Sequence, residues 1–162
     1  MWIDCDISEI QISEKSEGDM KAIWVVILSI VFISACNVSP EEINYNEDEC
    51  SYCKMKISDH RFGAELVTVK GKVYKYDSAE CLFHTLAEKQ KEDYKYILVT
   101  DFLEPGKLIN GKDAVYLIGP NRPSPMGGDL SAYNNNESAT AEIEKVGGEI
   151  YDFQELLDKY ID

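Results

Sequence analysis

Two cysteines three residues apart, with a methionine two positions beyond the second, form the chemically richest stretch of this chain: Cys50-Ser51-Tyr52-Cys53-Lys54-Met55. Thiols at that spacing serve a metal ion, a redox couple or a short structural disulfide. Met55 discriminates among these, because a thioether is a poor ligand for Zn²⁺ and a good one for Cu(I). Alternate residues of an extended backbone share a face, so the Cys53 thiolate and the Met55 thioether can address one ion. A zinc ribbon needs a second Cys or Cys/His pair. Cys81 stands alone, and His60 and His84 do not have the spacing of a partner motif. A thioredoxin-like pair belongs at the start of a helix that follows a strand. Here the motif follows a polar stretch and precedes another, Lys56-Ile57-Ser58-Asp59. Local chemistry puts soft-metal binding first and leaves a disulfide or redox pair, and zinc, open.

A second thioether, Met126, lies in Ser124-Pro125-Met126-Gly127-Gly128. Methionine ordinarily fills gaps in a core, but a loop bounded by proline and glycine can present it to a site. Asp77 reads as a helix cap. Cys81 and His84, at i and i+3 of one helix, share a side; Cys81 reads as buried packing, and His60 and His84 as solvated residues able to supply a nitrogen donor. There is no nucleophile triad, paired acid and base or phosphate loop, so the sequence points to a binding protein and not to an enzyme.

The elements that must position these residues can be read from periodicity. Phe62 to Val69 and Lys72 to Tyr76 predict a hairpin about Lys70-Gly71. Asp77-Ser78 opens a helix over Ala79 to Lys91, with Leu82, Phe83, Leu86 and Ala87 on one face. Strands follow at Tyr94 to Asp101, Ala114 to Gly119 and Gly128 to Tyr133. A second helix spans Ser138 to Val146 and ends at Gly147-Gly148. A short strand at Glu149 to Tyr151 and a helix at Phe153 to Tyr160 close the chain. The order strand, strand, helix, strand thus occurs twice, and each occurrence ends in a similar phrase, Val99-Thr100-Asp101-Phe102 and Ile150-Tyr151-Asp152-Phe153. The expected class is α+β: two related ββαβ repeats with helices packed on a mainly antiparallel sheet.

The N-terminal third is of another kind. Residues 1–19 are acidic, the wrong leader for export, and read as an upstream extension. Met20-Lys21, the apolar run Ala22 to Phe32 and the ending Ile33-Ser34-Ala35-Cys36 make residues 20–35 a signal peptide. The run is short for a membrane span, which needs ~20 apolar residues. Its ending resembles a bacterial lipobox, in which Cys36 becomes the lipidated first residue. Cleavage would leave Cys36 and the acidic stretch to Glu49 as a tether (residues 36–49) ahead of a folded domain at 50–162. Such a protein faces the periplasm or another extracytoplasmic space, anchored to membrane lipid through Cys36. The 162 residues hold about one domain. The net charge of −14 repels nucleic acid and offers an anionic lipid surface no overall attraction.

Lipobox, acidic tether, CxxCxM, hairpin, Tyr-Asp-Ser before a Cys-bearing helix and a later Pro-Met-Gly loop together resemble the NosL family of copper-binding lipoproteins. That family is associated with assembly of the copper centres of nitrous oxide reductase in denitrification. The resemblance runs from Cys36 to about Tyr151. It implies a Cu(I) metallochaperone with a copper-accepting protein or membrane complex as partner. It also implies Cys53 and Met55 as thiolate and thioether ligands, Met126 as a second thioether, and Cys50 at the first motif cysteine. The family usually has Gly between Cys and Met, where this chain has Lys54, so a positive φ there would be strained. The Lys54 ammonium is expected to favour the Cys53 thiolate. The alternative is an extracytoplasmic thiol–disulfide protein using Cys50 and Cys53.

Overall fold

The structure, a computed structural model, describes residues 38–161. The signal peptide, Cys36 and the acidic leader lie outside those residues. Among the described residues no helix is long and apolar enough to cross a membrane.

The first repeat comprises β1 (Ala64–Thr68), β2 (Val73–Tyr76), α1 (Ala79–Glu88) and β3 (Tyr94–Thr100). A short β4 (Leu108–Asn110) is added at its edge. The second repeat comprises β5 (Val115–Ile118), β6 (Leu130–Tyr133), α2 (Asn136–Val146) and β7 (Glu149–Tyr151), and α3 (Phe153–Ile161) follows. The sheets have orders β2-β1-β3-β4 and β6-β5-β7, so the first strand of each repeat is central and its hairpin partner and returning strand flank it. Every strand pairing is antiparallel. The α+β class and the duplicated ββαβ order both match the sequence expectation.

Burial explains the pattern. β1 is buried along its whole length, as befits a strand between two others and beneath a helix. Tyr76 and Tyr133 are buried at the ends of β2 and β6, where each chain turns into its helix. The larger apolar cluster unites Leu66, Phe83, Ile97, Tyr116 and Leu156, drawn from both repeats and α3. Helix α3 starts with a reciprocal box. The Glu155 amide donates to Asp152 Oδ1 at 2.8 Å, and the Asp152 amide donates to Glu155 Oε2 at 2.9 Å.

Three features depart from the sequence reading. Asp77 is not the cap of α1: Ser78 occupies that position, and the Asp77 carboxyl is buried with Oδ1 unpartnered. β4 has no pattern of its own and exists by pairing with Leu98–Thr100 of β3. The stretch read as a tether is packed from its start in the described residues. Ile43 is buried, Tyr45 stacks on His60 with ring centroids 3.8 Å apart, and the Glu41 amide donates to buried Glu65 at 3.0 Å. Two apolar side chains suffice to hold an otherwise acidic segment against the sheet.

Candidate metal site

The CxxCxM segment is a closed loop ahead of β1. The Lys54 amide donates to Cys50 O at 3.1 Å and the Cys50 amide to Met55 O at 2.8 Å, which folds the six residues back on themselves. A third bond, Ser51 amide to Lys75 O at 2.8 Å, fastens the loop to β2. Closing so tight a turn requires Lys54 at φ 64°, the left-handed conformation that glycine adopts freely. The Lys54 ammonium turns inward to Ser51 O, 2.8 Å away.

This loop brings Cys50 and Cys53 to the first turn of α1, where Cys81 faces them. The three sulfur atoms lie within 4.8 Å of one another. All three are free thiols, Cys50 and Cys81 buried and Cys53 half-buried. Three sulfurs each ~2.3 Å from a central ion stand about 4.0 Å apart. The observed cluster therefore needs little movement to enclose one soft cation in a three-coordinate site. Among the described residues this is the group of Cys, His, Asp or Glu side chains close enough to share an ion, and neither histidine belongs to it.

The thiols are not equivalent. The Cys81 S–H donates to the Cys50 sulfur, and the amides of Asp77, Cys53 and Tyr52 also point to it. Together they hold Cys50 down to about 5 against the opposing effect of burial. The same bond raises Cys81, with burial adding to it. Cys53 is raised chiefly by burial. This corrects the expectation for Lys54: the ready thiolate is Cys50, and its stabilisers are a thiol and backbone dipoles.

The two methionines occupy different positions. Met55 is 45% exposed, at the lip of the loop. Met126 is half-buried against the cluster that contains Cys50 and Cys81. Its loop is tied to α1 by Glu80, the residue before Cys81. The Ser124 hydroxyl donates to the buried Glu80 carboxylate, and a side chain at Gly128 would meet Glu80 Cγ at 3.2 Å and the same carboxylate's Oε1 at 3.3 Å. His84 lies between aromatic rings, stacked on Tyr52 at 5.1 Å and edge-on to Tyr160 at 4.8 Å. His60 stacks on Tyr45. Sequence reasoning passed over Cys81, although an odd cysteine left over in a domain expected to be exported was a signal for it.

Comparison with known proteins agrees with this geometry. The NosL family model matches residues 42–161. Among solved structures, the crystal structure of the copper chaperone NosL from Shewanella denitrificans is similar, with a TM-score of 0.64 and 26% identity. The match covers 73% of this chain and 95% of that one. Comparison with curated proteins returned no match. With the family match spanning the CxxCxM loop, both repeats and α3, this chain belongs to the NosL family.

Proposed function

We propose that this protein is an extracytoplasmic chaperone lipoprotein that binds Cu(I) at Cys50, Cys53 and Cys81 and hands it to a copper-accepting protein. The observation that carries the proposal is the convergence of three free thiols within 4.8 Å, one of them disposed to be a thiolate at neutral pH. Sulfur-rich, low-coordinate sites suit Cu(I). Cargo binding releases the protons held on Cys53 and Cys81, since the thiolate is the ligand. Met55 at the lip and Met126 on the facing loop are the thioethers through which the ion enters and leaves, one donor at a time. Cys36 is the lipidated residue, and assembly of nitrous oxide reductase is the destination that family membership favours. The reaction is ligand exchange; no bond of a substrate is made or broken.

The test is an anaerobic titration of reduced protein with Cu(I) against a competing chelator, beside Cys81→Ser, Cys53→Ser, Met55→Ala and Met126→Ala. Stoichiometric binding that every cysteine change weakens strongly, and each methionine change weakens less, is the expected result. Binding indifferent to Cys81 would remove the three-thiol site. The packed thiols around an ionised Cys50 also suit a thiol–disulfide protein. That reading requires catalysed dithiol–disulfide exchange with no copper binding.

A further inference from the structure

The described chain begins beside the β1–β2 turn. The Lys95 ammonium donates to Val38 O at 3.1 Å, and a side chain at Gly71 would meet Val38 Cγ2 at 3.4 Å. From there the segment runs along the sheet: the Glu41 amide meets Glu65, and Glu42 O meets the Lys75 ammonium at 2.6 Å. It reaches the thiol loop at the far end of β2. Cys36 is only two residues before Val38, a span of at most about 7 Å. Lipid on Cys36 would leave the domain little slack, with the end of the fold around the β1–β2 turn facing the bilayer.

That end differs from the rest of a chain whose net charge is −14. Lys70, Lys72 and Lys91 are exposed around a groove behind the turn, Lys95 is exposed beside Val38, and among the described residues none of the four is in an ion pair. Lys89, 4.0 Å from Glu92, also lines the groove, so four lysines there and Lys95 beside Val38 stand with three acids, Glu88, Glu92 and Asp93. Val69, at the tip of the hairpin, is 53% exposed. Lysines about an exposed aliphatic side chain form a surface fitted to anionic headgroups, with the apolar tip at the level of the glycerol backbone. Overall charge conceals this, because the acids are distributed elsewhere.

We propose that this lysine-bearing end rests on anionic phospholipid headgroups and turns the thiol cluster away from the bilayer. The ten residues of α1 span about 15 Å and separate the two ends. Cys81 lies in the first turn of that helix, and Lys89 follows its last turn. A partner approaching from the aqueous side would meet exposed Met55 and half-buried Cys53 first. The orientation rests on the reading of the chain as membrane-anchored immediately before Val38; lipid on Cys36 constrains it most, whereas an uncleaved apolar run ending at Phe32 would reach about 20 Å.

The test is lysine footprinting of the full membrane-borne chain. It is reconstituted into vesicles of phosphatidylglycerol and phosphatidylcholine in equal parts, and into phosphatidylcholine alone. A membrane-impermeant acylating reagent is added, and each lysine is read by mass spectrometry. In the anionic vesicles Lys70, Lys72, Lys91 and Lys95 should each react roughly five-fold more slowly. The difference should disappear at about 1 M salt, where screening is nearly complete. Lys54 and Lys56, beside the thiol loop, should react alike in both. Equal reactivity of the four lysines in the two vesicles, or protection of Lys54 and Lys56, overturns the orientation. The mass of the Cys36 peptide is read in the same experiment. An unmodified Cys36 with protected lysines removes the lipoprotein reading and leaves the orientation standing, whereas a chain found wholly in the aqueous phase overturns both.

Discussion

Replacing Arg122 by methionine tests how the Met126 loop is held, and the structure sets the size of the effect. Arg122 lies in the β5–β6 connection, its amide donating to Gly119 O at 2.8 Å. Its guanidinium donates to Tyr133 Oη and to Glu142, and sits 4.1 Å from the Phe102 ring centroid. The side chains of Arg122 and Glu142 are 14% and 6% exposed, so both charges are largely out of water. Breaking a buried pair from one side costs about 3–5 kcal/mol, mostly because the other charge is stranded. Lys145 stays 2.6 Å from Glu142, but is itself 66% exposed, which lowers the penalty to about 2 kcal/mol. The contact with Phe102 adds about 1 kcal/mol. Arg122→Met, which keeps the apolar stem, should therefore lose about 3 kcal/mol of unfolding free energy. Replacing both partners, as Arg122→Met with Glu142→Leu, should recover most of that, since no charge is then stranded. The pH dependence follows from Glu142, whose carboxyl Lys145 and Arg122 hold below its ordinary value of 4.5. A carboxylate so depressed stabilises the fold fully above that value and ceases to do so as pH falls through its folded pKa. The gap between wild type and Glu142→Gln should be constant at neutral pH and narrow as the pH falls below 4.5. Urea unfolding followed by far-ultraviolet circular dichroism measures both. A loss under about 1 kcal/mol for Arg122→Met, or a Glu142→Gln gap that does not narrow in acid, would refute the clamp.

Three backbone positions yield further expectations. Lys54→Gly relieves a left-handed residue at φ 64° and should stabilise the protein by about 1 kcal/mol while leaving Cu(I) affinity intact; a fall in melting temperature would contradict it. Gly148→Ala places a Cβ 2.0 Å from Ile118 O at φ 106°, and should cost at least about 3 kcal/mol. Gly106→Ala, at φ 83° with nothing within 4 Å, should cost only about 1 kcal/mol, and equal losses in the two variants would show that strain and not contact governs both.

What the sequence revealed and what it hid divide along the range of the interactions. α1 and its hairpin were legible because their apolar spacing and turn residues are local signals. β4 was not, because Leu108-Ile109-Asn110 is a strand only by virtue of its neighbour. The segment before Cys50 was read from its acids, yet two side chains, Ile43 and Tyr45, decide its placement. The thiol site repeats the lesson. Cys50 and Cys53 announce themselves by spacing, whereas Cys81 joins them only through the tertiary contact between the loop and the start of α1. Lys54 was legible in outline: the expected strain is there, but its ammonium satisfies Ser51 O and does not set the charge of Cys53.

The duplication bears on why the site is where it is. Tyr76-Asp77-Ser78-Ala79-Glu80-Cys81 opens α1, and Tyr133-Asn134-Asn135-Asn136-Glu137-Ser138 opens α2 at the equivalent place in the second repeat. In the second repeat Asn135 Oδ1 accepts the Ser138 amide at 2.8 Å, an ordinary cap worth about 1 kcal/mol. In the first, Ser78 makes no such bond and its hydroxyl is buried without a partner. The Asp77 amide and the Cys81 thiol point instead at Cys50. One copy of the helix start is thus arranged for stability, and the other forgoes a cap where donors surround a sulfur. Glu80 then links the modified start to the other repeat through Ser124, on the loop that carries Met126. The loop ahead of β1 and the start of α1 assemble the three thiols, and the Ser124–Glu80 bond joins that start to the second repeat's Met126 loop.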